Sequence, residues 1–223
     1  DIPSPATKAY ANGLQLYENG FFEEAANQFR KFGENYPTHD LRISADFYLA
    51  RAKTGADSSH IETYYKQFVQ TYPGSEFAEI LLKDLGHRFV KTGQYEDAIS
   101  YYQQAIDSWM SSDYSAKTQY WIAEAAAENG DYSASRVYFM ELANQYPKSE
   151  WAPKALYARG RLYLSQQQYK AASTAFEVLK ERYPNDEITR RVGTALGESY
   201  YQQGKYKEAV ETLQKALLYL DEE

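Results

Sequence analysis

The sequence has no cysteine among its 223 residues and only three histidines. Without cysteine, disulfide bonds, thiolate metal ligands and a cysteine nucleophile are excluded, although this identifies no compartment. His39, His60 and His87 form neither a His-Glu-x-x-His nor a His-x-His arrangement, so a metal site is not predicted. No Gly-x-Gly-x-x-Gly loop, Walker loop or Gly-x-Ser-x-Gly elbow occurs either. We therefore expect no enzymatic activity, no metal and no cofactor.

An excess of positive charge and a long apolar run are also missing. The 24 basic and 31 acidic residues give a net charge of −7, and they are scattered along the chain. Binding to nucleic acid requires a concentrated basic surface, as does a polybasic membrane contact, so neither is predicted. The mean hydropathy is −0.70. Since no run reaches the roughly 18 apolar residues that span a bilayer, we expect no direct membrane insertion by this segment.

Aromatic side chains, in contrast, are abundant, with 23 Tyr, 10 Phe and three Trp. They are enough to bury a sizeable core, so a folded protein is predicted. The sequence begins at Asp1 rather than Met, which leaves open whether a leader precedes it.

A Tyr-Pro pair recurs along the whole chain. The copies are Tyr36-Pro37, Tyr72-Pro73, Tyr146-Pro147 and Tyr183-Pro184, separated by 36, 74 and 37 residues. The double interval indicates one missing copy, and Trp109-Met110 occupies that place. A repeat of about 37 residues is therefore predicted.

Two further residue series follow the same repeat. Small residues occupy one series, namely Gly13, Ala50, Gly86, Ala123, Gly160 and Gly197. Turn glycines occupy the other, namely Gly20, Gly93, Gly130 and Gly204, with Gln167 in a fifth slot and Gly55 or Ala56 in the remaining one. We therefore divide the chain into six units of one solenoid, at about 6–37, 38–73, 74–110, 111–147, 148–184 and 185–221.

Each unit is predicted to be an antiparallel pair of helices. Apolar residues recur every three to four positions on both sides of the turn glycine, as expected for helices, and no segment alternates like a strand. The proline ends the second helix, and Ser75, Ser149 or Asp186 can cap the helix that follows. The small residue lies midway along the first helix, where we expect the second helix to approach closely.

The repeat resembles the tetratricopeptide (TPR) family. The fifth unit carries the family's residues in order: Leu156, Gly160, Tyr163, Tyr169, Ala172, Phe176 and Pro184. The resemblance extends over all six units. It implies an all-α fold, a right-handed superhelical TPR solenoid of six antiparallel helix pairs, that acts as a protein-interaction scaffold.

The longer repeat and its Tyr-Pro-x-Ser ending resemble TPR proteins of the bacterial cell envelope. Residues 146–157 are similar to the Tol-Pal-associated CpoB (YbgF) family, and residues 10–37 are similar both to that family and to the BamD outer-membrane assembly lipoproteins. This resemblance implies a location in the periplasm or at the periplasmic face of the outer membrane. A cytoplasmic location is the alternative.

The binding surface is expected on the concave face, which the first helices line in TPR proteins. The resemblance assigns to it the residue after the small position and the residue four before that one: Tyr10, Leu14, Phe47, Arg51, Lys83, His87, Tyr120, Glu124, Tyr157, Arg161 and Glu198, with Thr194 in the remaining slot. Such a face can bind another protein or an extended peptide. The carboxylate clamp of cytosolic co-chaperones is not present, because Lys83 is followed by His87 where the clamp has Asn.

Two other roles remain open from the sequence. The chain can be a cytosolic TPR adaptor, or the helical accessory domain of a larger envelope enzyme. The last helix still carries Val210, Leu213, Leu217, Leu218 and Leu220. We therefore expect either that the chain is one segment of a longer protein or that its C-terminal end packs on a partner or a second copy.

Overall fold

The computed structural model describes residues 4–108 and 112–220, and its regular structure is helical. No strand occurs within these two ranges, which confirms the all-α prediction. The helices are α1 (Pro5–Glu18), α2 (Phe22–Asn35), α3 (Arg42–Ala56), α4 (Ile61–Thr71), α5 (Glu76–Lys91), α6 (Tyr95–Ser108), α7 (Ser112–Glu128), α8 (Tyr132–Gln145), α9 (Trp151–Ser165), α10 (Tyr169–Arg182), α11 (Glu187–Arg191), α12 (Gly193–Gln202) and α13 (Tyr206–Leu220), with a 3₁₀ turn at Ser58–His60.

The Tyr-Pro pairs end four helices in the same way. Tyr36, Tyr72, Tyr146 and Tyr183 follow α2, α4, α8 and α10 with φ between −124° and −133° and ψ between 55° and 58°. Each tyrosine amide still donates to the carbonyl four residues earlier, and the proline prevents a further turn. The predicted ends are therefore confirmed, while Trp109-Met110 lies outside the described residues.

The predicted capping side chains accept hydrogen bonds at the starts of the next helices. Ser75 Oγ accepts from the Ala78 amide at 3.1 Å, and Ser149 Oγ accepts from the Trp151 amide at 3.2 Å. Asp186 Oδ1 accepts from the Ile188 amide at 2.9 Å. These bonds satisfy amides that have no partner inside the helix, so the capping prediction is confirmed.

Five of the six turn slots adopt a left-handed backbone. The four glycines have φ between 74° and 81°, and Gln167 has φ 58°. The remaining slot differs from the prediction, because Gly55 lies within α3. A Cβ at Gly55 would lie 2.6 Å from Phe22 Cγ, so glycine serves helix packing there. The chain leaves α3 at Asp57, whose side chain caps the 3₁₀ turn by accepting from the Ser59 amide at 2.9 Å.

The small-residue series lies where the two helices of a pair make contact. A Cβ at Gly13 would lie 2.8 Å from Phe29 Cε1, and one at Gly197 would lie 2.6 Å from Leu213 Cγ. Ala123, in the same series, is fully buried. The expected close approach of the second helix is confirmed.

The chain divides into two compact units, one built mainly from residues up to Arg88 and the other mainly from Phe89 onward. The first has an aromatic core around the buried Phe29 and Phe32. The second has a core of aliphatic and aromatic residues that includes Phe139, Leu156 and Phe176. Among the described helices, none is long and apolar enough to cross a bilayer.

The first helix of the last repeat is broken, which the sequence pattern did not predict. α11 ends at Arg191 and α12 begins at Gly193. A Cβ at Gly193 would lie 2.7 Å from Ala216 Cβ, so the absence of a side chain allows α13 to approach. Glycine is also a poor helix former, and the break coincides with it.

Candidate protein-interaction surface

In the second compact unit, which lies mainly from Phe89 onward, three successive repeats present side chains in matching positions on their first helices. α9 contacts α7 on one side and α11 and α12 on the other. Residues three or four apart share one face of a helix. We call these positions the first-helix face, and its residues are Lys117, Tyr120, Glu124, Lys154, Tyr157, Arg161, Arg191 and Glu198.

Two tyrosines form the aromatic part of this face. The half-buried Tyr120 ring has its centroid 5.2 Å from that of Phe139 and 5.0 Å from that of Trp151. Burial, with a smaller contribution from Glu124, raises the pKa of Tyr120 to about 12. The Tyr157 centroid lies 5.9 Å from that of Phe176. Both rings are therefore anchored in the core and contribute only part of their surface to the face.

The charged positions that follow the small residues are exposed. Glu124, Arg161 and Glu198 all belong to this class. Partial desolvation of its carboxyl by neighbouring side chains, followed by the charge of Glu128, raises the pKa of Glu124 above its usual value. Within the described part of the chain, no ion pair engages these three side chains. Their charges are therefore available to a partner.

Sequence reasoning missed a basic series on the same face. Lys117, Lys154 and Arg191 are spaced by 37 residues. The Lys117 ammonium lies 5.6 Å from the Trp151 ring centroid, and the Lys154 ammonium lies 4.3 Å from it. Lys154 also pairs with Glu150 at 2.9 Å. The signal was present in the sequence, since each basic residue precedes an already selected position by three residues.

In the first compact unit, the first two predicted residues, Tyr10 and Leu14, belong largely to the core. Tyr10 packs edge-on against Phe29 and Phe32 at 5.9 Å, and its hydroxyl is hydrogen-bonded to that of Ser44. Leu14 is half-buried against the same core. These two side chains have little free surface for a ligand.

Phe47 is only 4% exposed, because its ring packs 4.7 Å from that of Phe77. The Arg51 guanidinium lies 5.5 Å from the Phe47 ring and 4.0 Å from Asp84. Burial raises the pKa of Asp84, and the Arg51 charge opposes that shift. The Arg51 side chain is therefore engaged by contacts inside the first compact unit.

Lys83 and His87, on α5, are half-buried. Lys83 pairs with Glu79 at 3.0 Å, and both side chains are largely inaccessible. The predicted site residues of the first compact unit are therefore engaged in contacts within the protein to a greater extent than those on α7, α9 and α12. No group of His, Asp and Glu arranged to hold a metal occurs in the described residues.

Comparison with protein families identifies the repeat. A tetratricopeptide-repeat model matches residues 83–150, and the all-helical fold agrees with it. Over the matched residues the chain is thus similar to tetratricopeptide-repeat proteins, a class that generally serves as a protein-interaction scaffold. A second model, described as an outer membrane lipoprotein, matches residues 149–219. It supports the predicted likeness to the BamD lipoproteins, but in a different part of the chain from residues 10–37, where the sequence suggested it. The likeness to CpoB stays a prediction.

Solved structures support the fold. A crystal structure of MamA is 21% identical with a TM-score of 0.56, over 77% of this chain and 94% of that one. BtubC from P. vanneervenii is 14% identical with a TM-score of 0.57, over 96% and 90%. A tetratricopeptide repeat protein from Parabacteroides merdae is 14% identical with a TM-score of 0.54, over 96% and 79%. The comparison with curated proteins gave no match.

Proposed function

We propose that this scaffold binds an extended peptide or a helix of a partner protein along the first-helix face, and that it does so in the bacterial cell envelope. The observation that carries the binding proposal is the recurrence of exposed charges beside anchored tyrosines on adjacent first helices. Arg161, for example, is exposed one helical turn after Tyr157 on α9. Anchored aromatic rings contribute affinity at a small cost in conformational entropy, and charges fix the register of a partner.

The face has a distribution of charge that restricts its partner. Its basic series lies nearer the start of each first helix, while a second series, Glu124, Arg161 and Glu198, lies about two turns later. A partner matches this arrangement if its acidic groups face the basic series and Arg161, and its basic groups face Glu124 and Glu198. The likeness of residues 149–219 to an outer membrane lipoprotein supports the envelope location.

Site-specific crosslinking in the native cell tests both parts. A photoreactive residue replaces Arg161 in one variant and Lys207, exposed on α13, in a control variant. We expect defined envelope proteins to be crosslinked at position 161 and not at position 207. Equal crosslinking at both positions would contradict the face, whereas exclusively cytosolic partners would favour the adaptor alternative.

Charge reversal provides a second test with the partner found in that way. Arg161→Glu and Lys154→Glu each place an acidic group on the face, and we expect about tenfold weaker binding because like charges then meet. Lys207→Glu makes the same change outside the face and should leave binding unaltered. Circular dichroism verifies that each variant is folded.

A further inference from the structure

One position of the repeat carries arginine in the fifth repeat, whereas four of the other repeats carry an aliphatic residue there. The position directly precedes the small residue of the first helix. The series reads Asn12, Leu49, Leu85, Ile122, Arg159 and Leu196. Leu85, Ile122 and Leu196 are at most 1% exposed. Arg159 therefore brings a guanidinium into a place that packing alone would fill with leucine.

The guanidinium of Arg159 is only partly satisfied. Its Nη2 donates to Tyr163 Oη at 3.3 Å, and its centre lies 5.2 Å from the Tyr163 ring centroid. Its Nε is buried and has no hydrogen-bond partner, and no ion pair to a described carboxylate engages the side chain. A buried N–H of a charged group that lacks an acceptor is costly, so packing alone does not account for an arginine here.

Arg159 opens onto a pocket of 740 Å³ near the turn between α9 and α10. The walls include the rings of Tyr163 and Tyr169 and the side chains of Ala171 and Ala175, so the pocket has apolar surface. Lys170 adds a second positive charge, and no acidic residue occurs among the described residues that line the pocket. The chain as a whole is acidic, which makes this local positive charge distinct.

The start of α10 adds to the positive electrostatic potential of the pocket. Its first residues, Tyr169 and Lys170, line the pocket, and its N-cap, Gln168, makes no side-chain capping bond. The amides at the start of a helix carry a partial positive charge that favours an anion. Arg159, Lys170 and this helix end therefore act in the same direction on whatever enters the pocket.

We propose that this pocket binds a carboxylate that carries an apolar body, such as an aryl or alkyl acid or the last residue of a peptide. The carboxylate would accept from the Arg159 guanidinium where it lines the pocket, because a charge-assisted hydrogen bond to arginine is among the strong ones. The apolar body would pack between the tyrosine rings. Arg159 and Arg161 are two residues apart, about 200° around α9, so the pocket is separate from the first-helix face.

Isothermal titration with N-acetylphenylalanine tests the proposal, with N-acetylphenylalanine amide as the uncharged counterpart. We expect saturable binding of the acid and at least about tenfold weaker binding of the amide, because charge-assisted hydrogen bonds are the stronger ones. Equal binding of the two probes, or no saturable binding of the acid, would overturn the proposal. Tighter binding of phenyl phosphate than of the acid would replace the carboxylate by a phosphate.

Arg159→Leu is the decisive variant, since leucine is the residue that Leu85 and Leu196 place in this series. The variant should unfold at the same temperature as the parent or higher, and bind the acid at least about tenfold more weakly. Arg190→Leu removes an exposed arginine elsewhere in the same unit and should retain binding. Unchanged affinity in Arg159→Leu would contradict the assignment. Lys170→Gln should weaken binding less, and its effect should diminish with salt.

Discussion

Lys117 and Lys154 share one indole, because the ammonium groups of both lie over the ring of Trp151, at 5.6 and 4.3 Å. The two lysines occupy the same position of successive repeats, so the contact joins α7 to α9 through residues on the first-helix face. A cation placed over an indole is attracted by the ring's electron density. The basic series is thus positioned by the aromatic residues beside it.

We expect Lys154→Ala to lower the free energy of unfolding by about 0.5–1 kcal/mol, the usual value of an exposed cation–π contact. Its ion pair with the exposed Glu150 adds little. Urea unfolding followed by tryptophan fluorescence measures the change. Lys148→Ala, at an exposed position in the preceding turn, serves as the control. Equal stability of Lys154→Ala and the control would show that the contact contributes nothing.

The small-residue series gives the second prediction. Gly197→Val should destabilise the fold by about 1–3 kcal/mol, because its Cβ would lie 2.6 Å from Leu213 Cγ and α13 would have to move. Thermal and urea unfolding measure the loss. Gly74→Val is the matched control, since nothing lies within 4 Å of a Cβ there. A fully stable Gly197→Val would mean that α12 and α13 can separate without cost.

The fold was largely predictable because the same packing requirement recurs in each repeat. Gly13 alone, opposite Phe29, would indicate little, but a small residue in the same position of every repeat indicates a helix pair. The departures occur where a single repeat differs locally. Gly55 serves the contact with Phe22 instead of a turn, and Gly193 interrupts a first helix, and neither effect can be read from spacing.

The site was less predictable than the fold, because exposure depends on neighbours from other repeats. Phe47 and Tyr120 occupy equivalent positions, yet Phe47 is covered by Phe77 while Tyr120 is half-buried beside Trp151. Position in the repeat identifies the face of a helix but not what covers it. For the same reason, the sequence alone did not distinguish Arg159 from an ordinary surface arginine.

Gln167 offers a stabilising substitution. It has φ 58° at a slot where four other repeats have glycine, and a residue with a side chain is strained in that region. We expect Gln167→Gly to raise the free energy of unfolding by about 0.5–1 kcal/mol. Gly130→Ala, the reverse change in the preceding repeat, should lower it by at least about as much. Opposite signs in urea unfolding would confirm the strain, and a loss of stability in both variants would refute it.

One buried and two half-buried tyrosines, Tyr102, Tyr120 and Tyr200, predict loss of stability at high pH. Burial raises the pKa of Tyr102 and, with a smaller contribution from its bond to Glu177, that of Tyr200, while the pKa of Tyr120 is raised to about 12. The usual pKa of tyrosine is about 10, so the folded protein holds these protons more tightly than the unfolded chain. Their contribution to stability is therefore complete below about pH 10 and is lost as the pH rises through the folded-state values.

Urea unfolding at about pH 8 and about pH 11 measures this loss, and ultraviolet absorbance follows tyrosinate formation in parallel. We expect a clear decrease of the midpoint at the higher pH. Tyr120→Phe removes one of the responsible groups and should decrease less than the parent. An identical pH dependence in the two proteins would show that Tyr120 ionises in the folded state as freely as in the unfolded chain.

Thr189 on α11 carries a hydroxyl that no partner satisfies. The residue is 9% exposed, and its Oγ1 is buried without a hydrogen-bond partner. Valine has the same shape without the hydroxyl, so Thr189→Val removes the desolvation cost and should raise the free energy of unfolding by about 0.5–1 kcal/mol. Thr189→Ala removes a methyl group as well and should gain less, because it leaves a small cavity. If Thr189→Val were less stable than the parent, the hydroxyl would have to be satisfied in solution, and the neighbouring pocket of 350 Å³ between α10 and α13 has room for a water molecule that satisfies it.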